Sequence, residues 1–186
     1  MANVRISEDN LRENLHVSRA FIPFFSGSDI KLSTRSGGIP GFPAFIGLGS
    51  NDMSINYLNG VINLDDEFAN YAIPLAESGI IDTLVATFYT FPISIFGSSV
   101  ITVCTQLYYA DNTTNIFKPI KETLLRLKPN YNGNFSDKNI SYARKSGINA
   151  KLNSGTRILL LFFTEAEGGK GITEIRGYAS AGISII

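Results

Sequence analysis

His16 and Cys104 are the only imidazole and the only thiol in the chain. Serine- or cysteine-hydrolase chemistry needs an imidazole held rigidly beside its nucleophile. His16 falls in an N-terminal stretch with weak ordering signals, a poor place for a general base. Cys104 sits among Ile101, Val103 and Leu107 in an alternating apolar run. There a small, buried, reduced thiol is the ordinary reading, and one cysteine leaves no intrachain disulfide or multi-cysteine metal site. Asp65-Asp66-Glu67 could offer oxygens to a hard cation. It lacks the glycine-punctuated spacing of a calcium loop, so it reads as a solvated acidic turn. Glu165 and Glu167 alternate at a strand end and point to one side, the minimum for a paired-carboxylate glycosidase. Beside Gly168-Gly169 they fit charge at a hairpin mouth better, and catalysis would require them to line a deep cleft. Gly168-Gly169-Lys170-Gly171 lacks phosphate-loop spacing, and Gly47-Leu48-Gly49 lacks the third glycine of a dinucleotide site. Three Asn-x-Ser/Thr sequons, at Asn112, Asn134 and Asn139, carry no assigned role. The residues therefore predict no enzyme, no cofactor and no metal.

The composition limits the partners too. Sixteen basic residues balance sixteen acidic ones, and they are scattered, so no field draws the chain to nucleic acid. Charged residues make up 17% of the sequence, below the roughly 25% usual in soluble domains. That fits a surface rich in Ser, Thr and Asn combined with surface hidden in an oligomer. No apolar run reaches the roughly 18–20 residues of a membrane-spanning helix, and no basic start followed by an apolar stretch marks a secretory signal.

The elements that position these residues are strands. Residues 1–18 are expected to be a leader or anchoring segment. Ser7-Glu8-Asp9-Asn10 supplies cap residues, with Leu11 and Leu15 at helical spacing behind them, a helix too short to stand alone. From Arg19 the period becomes two, and residues 19–186 read as one all-β domain. Ala20–Phe25, broken by Pro23, suits a sheet edge or bulge, and Ile30–Thr34 follows. Residues 36–50 are dense in Gly and Pro yet interleaved with Ile and Phe, a packed crossover. Asn59-Gly60 joins two alternating arms as a hairpin turn. Further strands are expected at Ala69–Ala76, Ile80–Thr90, Ser99–Tyr109, Thr123–Lys128, Ile148–Leu152, Arg157–Thr164, Ile172–Arg176 and Gly177–Ile186. Arg157–Thr164 is apolar on both faces, as in a strand covered on each side. This pattern means a sandwich, jelly roll or barrel.

Several stretches in order resemble the C-terminal domain of the BclB-type collagen-like exosporium glycoproteins of spore-forming Firmicutes. They are Phe21-Ile22-Pro23-Phe24, Phe45-Ile46-Gly47-Leu48-Gly49-Ser50, Ala72-Ile73-Pro74 with Gly79-Ile80-Ile81, and Gly97-Ser98-Ser99-Val100 with Thr105-Gln106-Leu107-Tyr108. Asn153–Leu160 and the closing Gly177-Tyr178-Ala179-Ser180-Ala181-Gly182-Ile183 complete the set. The resemblance implies a jelly-roll β-sandwich similar to complement and tumour-necrosis-factor heads, assembled as a homotrimer. It implies a place on the outer spore surface, deposited from the mother-cell cytoplasm, with a structural role, other exosporium proteins as partners and adhesion through loops. Residues 1–18 contain no Gly, whereas a collagen stalk needs one at every third position. In such heads the last strand lies beside the threefold axis, which makes Phe162, Tyr178, Ile183 and Ile185 candidates for the trimer core. The competing expectation is a carbohydrate- or receptor-binding jelly roll of the lectin or phage tail-fibre kind. A shared surface groove holding Tyr108, Tyr109, Tyr131 and Tyr142 would mark it.

Overall fold

The computed structural model describes residues 19–53, 57–58, 60–64, 66–94, 99–132, 134–135, 139–168 and 173–186. The expected leader, including His16, Leu11 and Leu15, lies outside them. The strands in chain order are β1 (Ala20–Phe25), β2 (Ile30–Ser33), β3 (Ala44–Ile46), β4 (Asn51–Met53), β5 (Tyr57–Leu58), β6 (Val61–Asn63), β7 (Ile73–Pro74), β8 (Gly79–Thr90) and β9 (Ile93–Ser94). They continue with β10 (Val100–Ala110), β11 (Ile116–Pro119), β12 (Leu125–Arg126), β13 (Tyr131–Asn132), β14 (Asn134–Phe135), β15 (Asn139–Lys145), β16 (Ala150–Leu152), β17 (Arg157–Glu167) and β18 (Glu174–Ile185). No helix among the described residues is long and apolar enough to cross a membrane.

Two antiparallel sheets face each other. In the first, β18 is central, with β1 and β2 on one side and β8 on the other, and β8 carries β15 and β16 beyond it. In the second, β17 pairs β10 along its whole length, from Val100 opposite Glu167 to Ala110 opposite Arg157. Strands β3 and β7 flank β17, while β11, β12 and β13 share the far side of β10. Counting only β1, β3, β8, β10, β12, β15, β17 and β18 as eight positions in chain order, the first, eighth, third and sixth lie in one sheet. The second, seventh, fourth and fifth form the other. This is the double Greek key of a jelly roll.

The period-two patterning explains both cores. Ile81, Leu84, Ala86 and Phe88 from β8 meet Ile158, Leu160 and Phe162 from β17 between the sheets, all fully buried. The opposite face of the second sheet is buried as well. There Tyr108, Leu159 and Leu161 pack with Phe45 of β3 and with Ile62 and Tyr71, which belong to the excursion between β3 and β8. That excursion is why β17 is apolar on both faces. Strand β1 is an edge strand, and Pro23 stands opposite Gly182 where its missing N–H costs no ladder bond. Leu58 pairs Val61, so the hairpin turns where expected, and Gly60 takes a left-handed φ of 78°.

Some expected elements differ. Ala69–Ala76 is not one strand. A 3-10 helix occupies Asp66–Tyr71 and only Ile73–Pro74 is extended, because Phe68 and Tyr71, three residues apart, pack around Phe45. Likewise Lys121–Thr123 is 3-10, leaving Leu125–Arg126 as strand. Thr123 turns inward there: its Oγ1 donates to Ile120 O at 2.7 Å and accepts the Leu107 N–H at 3.0 Å. The last two expected strands are one, Glu174–Ile185.

Candidate functional site

Glu165 does not line a cleft with Glu167. The guanidinium of Arg126 holds it, Nε donating to Oε2 at 2.9 Å and Nη2 to Oε1 at 3.1 Å, whereas Glu167 is exposed. Cys104 lies under this pair on the outer side of the second sheet, fully buried and free. Burial, then the nearby Glu165 charge, pushes its thiol up to about 12 from 9.0, with Arg126 opposing. Among the described residues no three His, Cys, Asp or Glu side chains converge. Asp65 and residues 169–172 lie outside the described residues, as do the side chains of Asp66 and Glu67.

The four tyrosines do not share a groove. Tyr108 belongs to the outer core of the second sheet and Tyr131 to the core between the sheets, both buried. Tyr109 is half-buried near β16, and Tyr142 is exposed on β15. Of the other candidates, Phe162 and Ile183 are fully buried within the chain's own sandwich, and Ile185 is partly buried against it. Tyr178 is 45% exposed, its ring edge-on to Phe91 with centroids 5.2 Å apart.

Tyr178 belongs to a larger feature that the sequence did not disclose, the outer face of the first sheet. Register builds it in rows. Tyr178 lies beside Tyr89, and Tyr89 beside Ile140. In the next row Phe25, Ser180, Thr87 and Tyr142 stand side by side, followed by Pro23, Gly182, Val85 and Arg144. Phe21 completes the face opposite Ser184. Phe21, Phe25, Ile140, Tyr142 and Tyr178 are all 45% exposed or more. The Phe21 ring lies across Gly182, where a Cβ would come within 2.5 Å of it, so glycine keeps that part of the face flat. Charges stay at the borders. Arg144 marks the β15 edge, and at the β2 end Lys31 pairs with Glu174 at 2.7 Å and Arg176 with Asp29. The two sheets thus differ: among the described residues, the chain's own side chains cover the outer side of the second, whereas the first keeps an exposed aromatic face with charge at its borders. Contiguous exposed apolar patches of this kind mark interaction sites.

No protein-family model matches the chain, and no curated protein matches it. Solved structures similar to it include that of infectious bursal disease virus, Gx strain, at 10% identity and TM-score 0.43 over 91% of this chain and 33% of the viral one. The Gt strain matches at 12% identity and TM-score 0.43 over 90% and 33%. The Eiger tumour-necrosis-factor protein of S. frugiperda matches at 10% identity and TM-score 0.41 over 89% of this chain and 92% of that one. This chain spans about a third of the viral chains' length.

Proposed function

We propose that the chain is a non-catalytic structural head that assembles as a homotrimer through the outer face of its first sheet and is displayed on the spore surface. The observation carrying this reading is the exposed aromatic face of the first sheet, beside a second sheet whose outer side the described residues already cover. Apolar side chains stand at both edges of that face, Phe21 and Phe25 on β1 and Ile140 and Tyr142 on β15. A contact that joins one edge of one copy to the opposite edge of the next is heterologous, and such contacts form a ring when the rotation between copies closes. The resemblance to exosporium heads supplies the number three and the location. The held Glu165 and the scattered tyrosines favour scaffolding over glycoside chemistry or a sugar groove.

Phe25 and Tyr142 test the geometry. They are three strand spacings apart, about 14 Å, too far for a disulfide or short bridge within one chain. A Phe25→Cys, Tyr142→Cys double variant treated with a short bifunctional thiol reagent is expected to give covalent trimers, and each single variant none. Monomer alone from the double variant contradicts the ring. Antibody labelling of intact spores tests the location, and labelling seen only after spores are broken contradicts it.

A further inference from the structure

A groove of about 420 Å³ opens between the 3-10 helix Lys121–Thr123, which packs on β10, and β16, which pairs β8. Tyr109, Lys121, Glu122, Asn149 and Lys151 are among the residues that line it. Its size suits one small molecule, and a few convergent polar groups are what orient such a ligand. Both walls are fixed from inside. On one, the Ile120 carbonyl beside Lys121 accepts Thr123 Oγ1 at 2.7 Å and Gln106 Nε2 at 3.2 Å, and both side chains are buried. On the other, buried Ile148 donates its N–H to Asp82 O at 2.9 Å. Gly147 and Asn149 flank it at left-handed φ of 67° and 58°, and asparagine is among the few side chains that accept this conformation. Among the described residues, no ion pair or side-chain hydrogen bond engages Lys121, Glu122, Asn149 or Lys151, whereas charges elsewhere are paired. The mixture of groups points to one ligand chemistry. Two ammonium groups against one carboxylate leave an excess positive charge, which calls for an anionic group. Glu122 accepts hydrogen bonds and the Asn149 amide both donates and accepts, which calls for hydroxyls beside that anion. Tyr109, partly packed on the core, offers an apolar ring with a polar tip, which calls for a flat C–H surface. A sugar acid carries all three.

We infer that this groove binds a uronic-acid sugar unit, its carboxylate held by Lys121 and Lys151, its hydroxyls by Glu122 and Asn149, and its ring against Tyr109. The site depends neither on the trimer nor on a groove shared by several tyrosines. NMR titration of the full chain with methyl glucuronoside tests it, with methyl glucoside and acetate for comparison. The glucuronoside should bind in the millimolar range expected of so small a ligand, and at least about tenfold more tightly than the glucoside or acetate. Lys121→Gln and Lys151→Gln, both at exposed positions, should each weaken it about tenfold. Glu122→Gln keeps an acceptor and removes a like charge, so it should hold or strengthen binding. All three variants should keep the parent's mass and circular dichroism. Equal binding of the glucoside, or unchanged binding in both lysine variants, overturns the charge assignment. Equal binding of acetate overturns the sugar. No glucuronoside signal at about 10 mM, where a site of about 1 mM affinity is nearly full, overturns the site altogether.

Discussion

Tyr178→Asp separates assembly from folding. Tyr178 is 45% exposed in the single chain, and a tyrosine offers about 150–250 Å² in all, so roughly 90 Å² remain for a partner to cover. At about 25 cal/mol per Å² that is worth about 2 kcal/mol per interface, or roughly thirtyfold in affinity. Three interfaces close the ring, so its total loss approaches about 6 kcal/mol, before the cost of desolvating three carboxylates is added. Within the chain the substitution gives up part of the side chain's own buried area and the edge-on contact with Phe91, a pair worth about 0.5–1.5 kcal/mol beyond that burial. Light scattering through a micromolar dilution series should therefore find the variant monomeric where the parent is trimeric, with its β-sheet circular dichroism intact. An unchanged mass across the series would refute the assignment of this face. Unfolding would refute the placement of Tyr178 outside the core.

Phe162→Ala, deep between the sheets, should cost about 3–5 kcal/mol in denaturant unfolding, and a loss below about 1 kcal/mol would remove Phe162 from the core. Gly177→Ala and Gly182→Ala should behave differently. A Cβ at Gly177 would come within 2.2 Å of the Tyr89 carbonyl oxygen, an overpacking of about 1–3 kcal/mol, whereas at Gly182 its close contact is with the movable, exposed Phe21 ring, and Val85 lies at ordinary contact distance. Comparable melting temperatures for the two would contradict that contrast. Cys104 should resist thiol reagents in the native protein and react on unfolding. Its raised pKa favours the neutral thiol in the fold, so the associated stability is present below about pH 9 and is lost as pH rises toward about 12. Rapid native labelling near neutrality would contradict this.

Much of the fold is legible in the residues because its long strands alternate cleanly. Leu84, Ala86 and Phe88 face in while Val85, Thr87 and Tyr89 face out, and β17 announces cover on both sides. Strand β15 does not announce itself. Its inward residues, Ser141 and Ala143, are too small to register as a core stripe. Strand β3 hides in a segment dense in Gly and Pro, and its extended form comes from pairing with β17 rather than from local preference. The 3-10 helix at Asp66–Tyr71 was readable only in the spacing of Phe68 and Tyr71, which competes with an apparent alternation through Ile73. The outer face was the least legible feature. Its members come from β1, β8, β15 and β18, and only pairing register brings Phe25, Ser180, Thr87 and Tyr142 into one row.

Trimerisation through that row is the central claim, and the mass of the unmodified chain in solution tests it most directly. Light scattering or native mass spectrometry at micromolar concentration should give three times the 20.3 kDa chain. A mass equal to one chain at that concentration, with the aromatic face of the first sheet open to solvent, would contradict it.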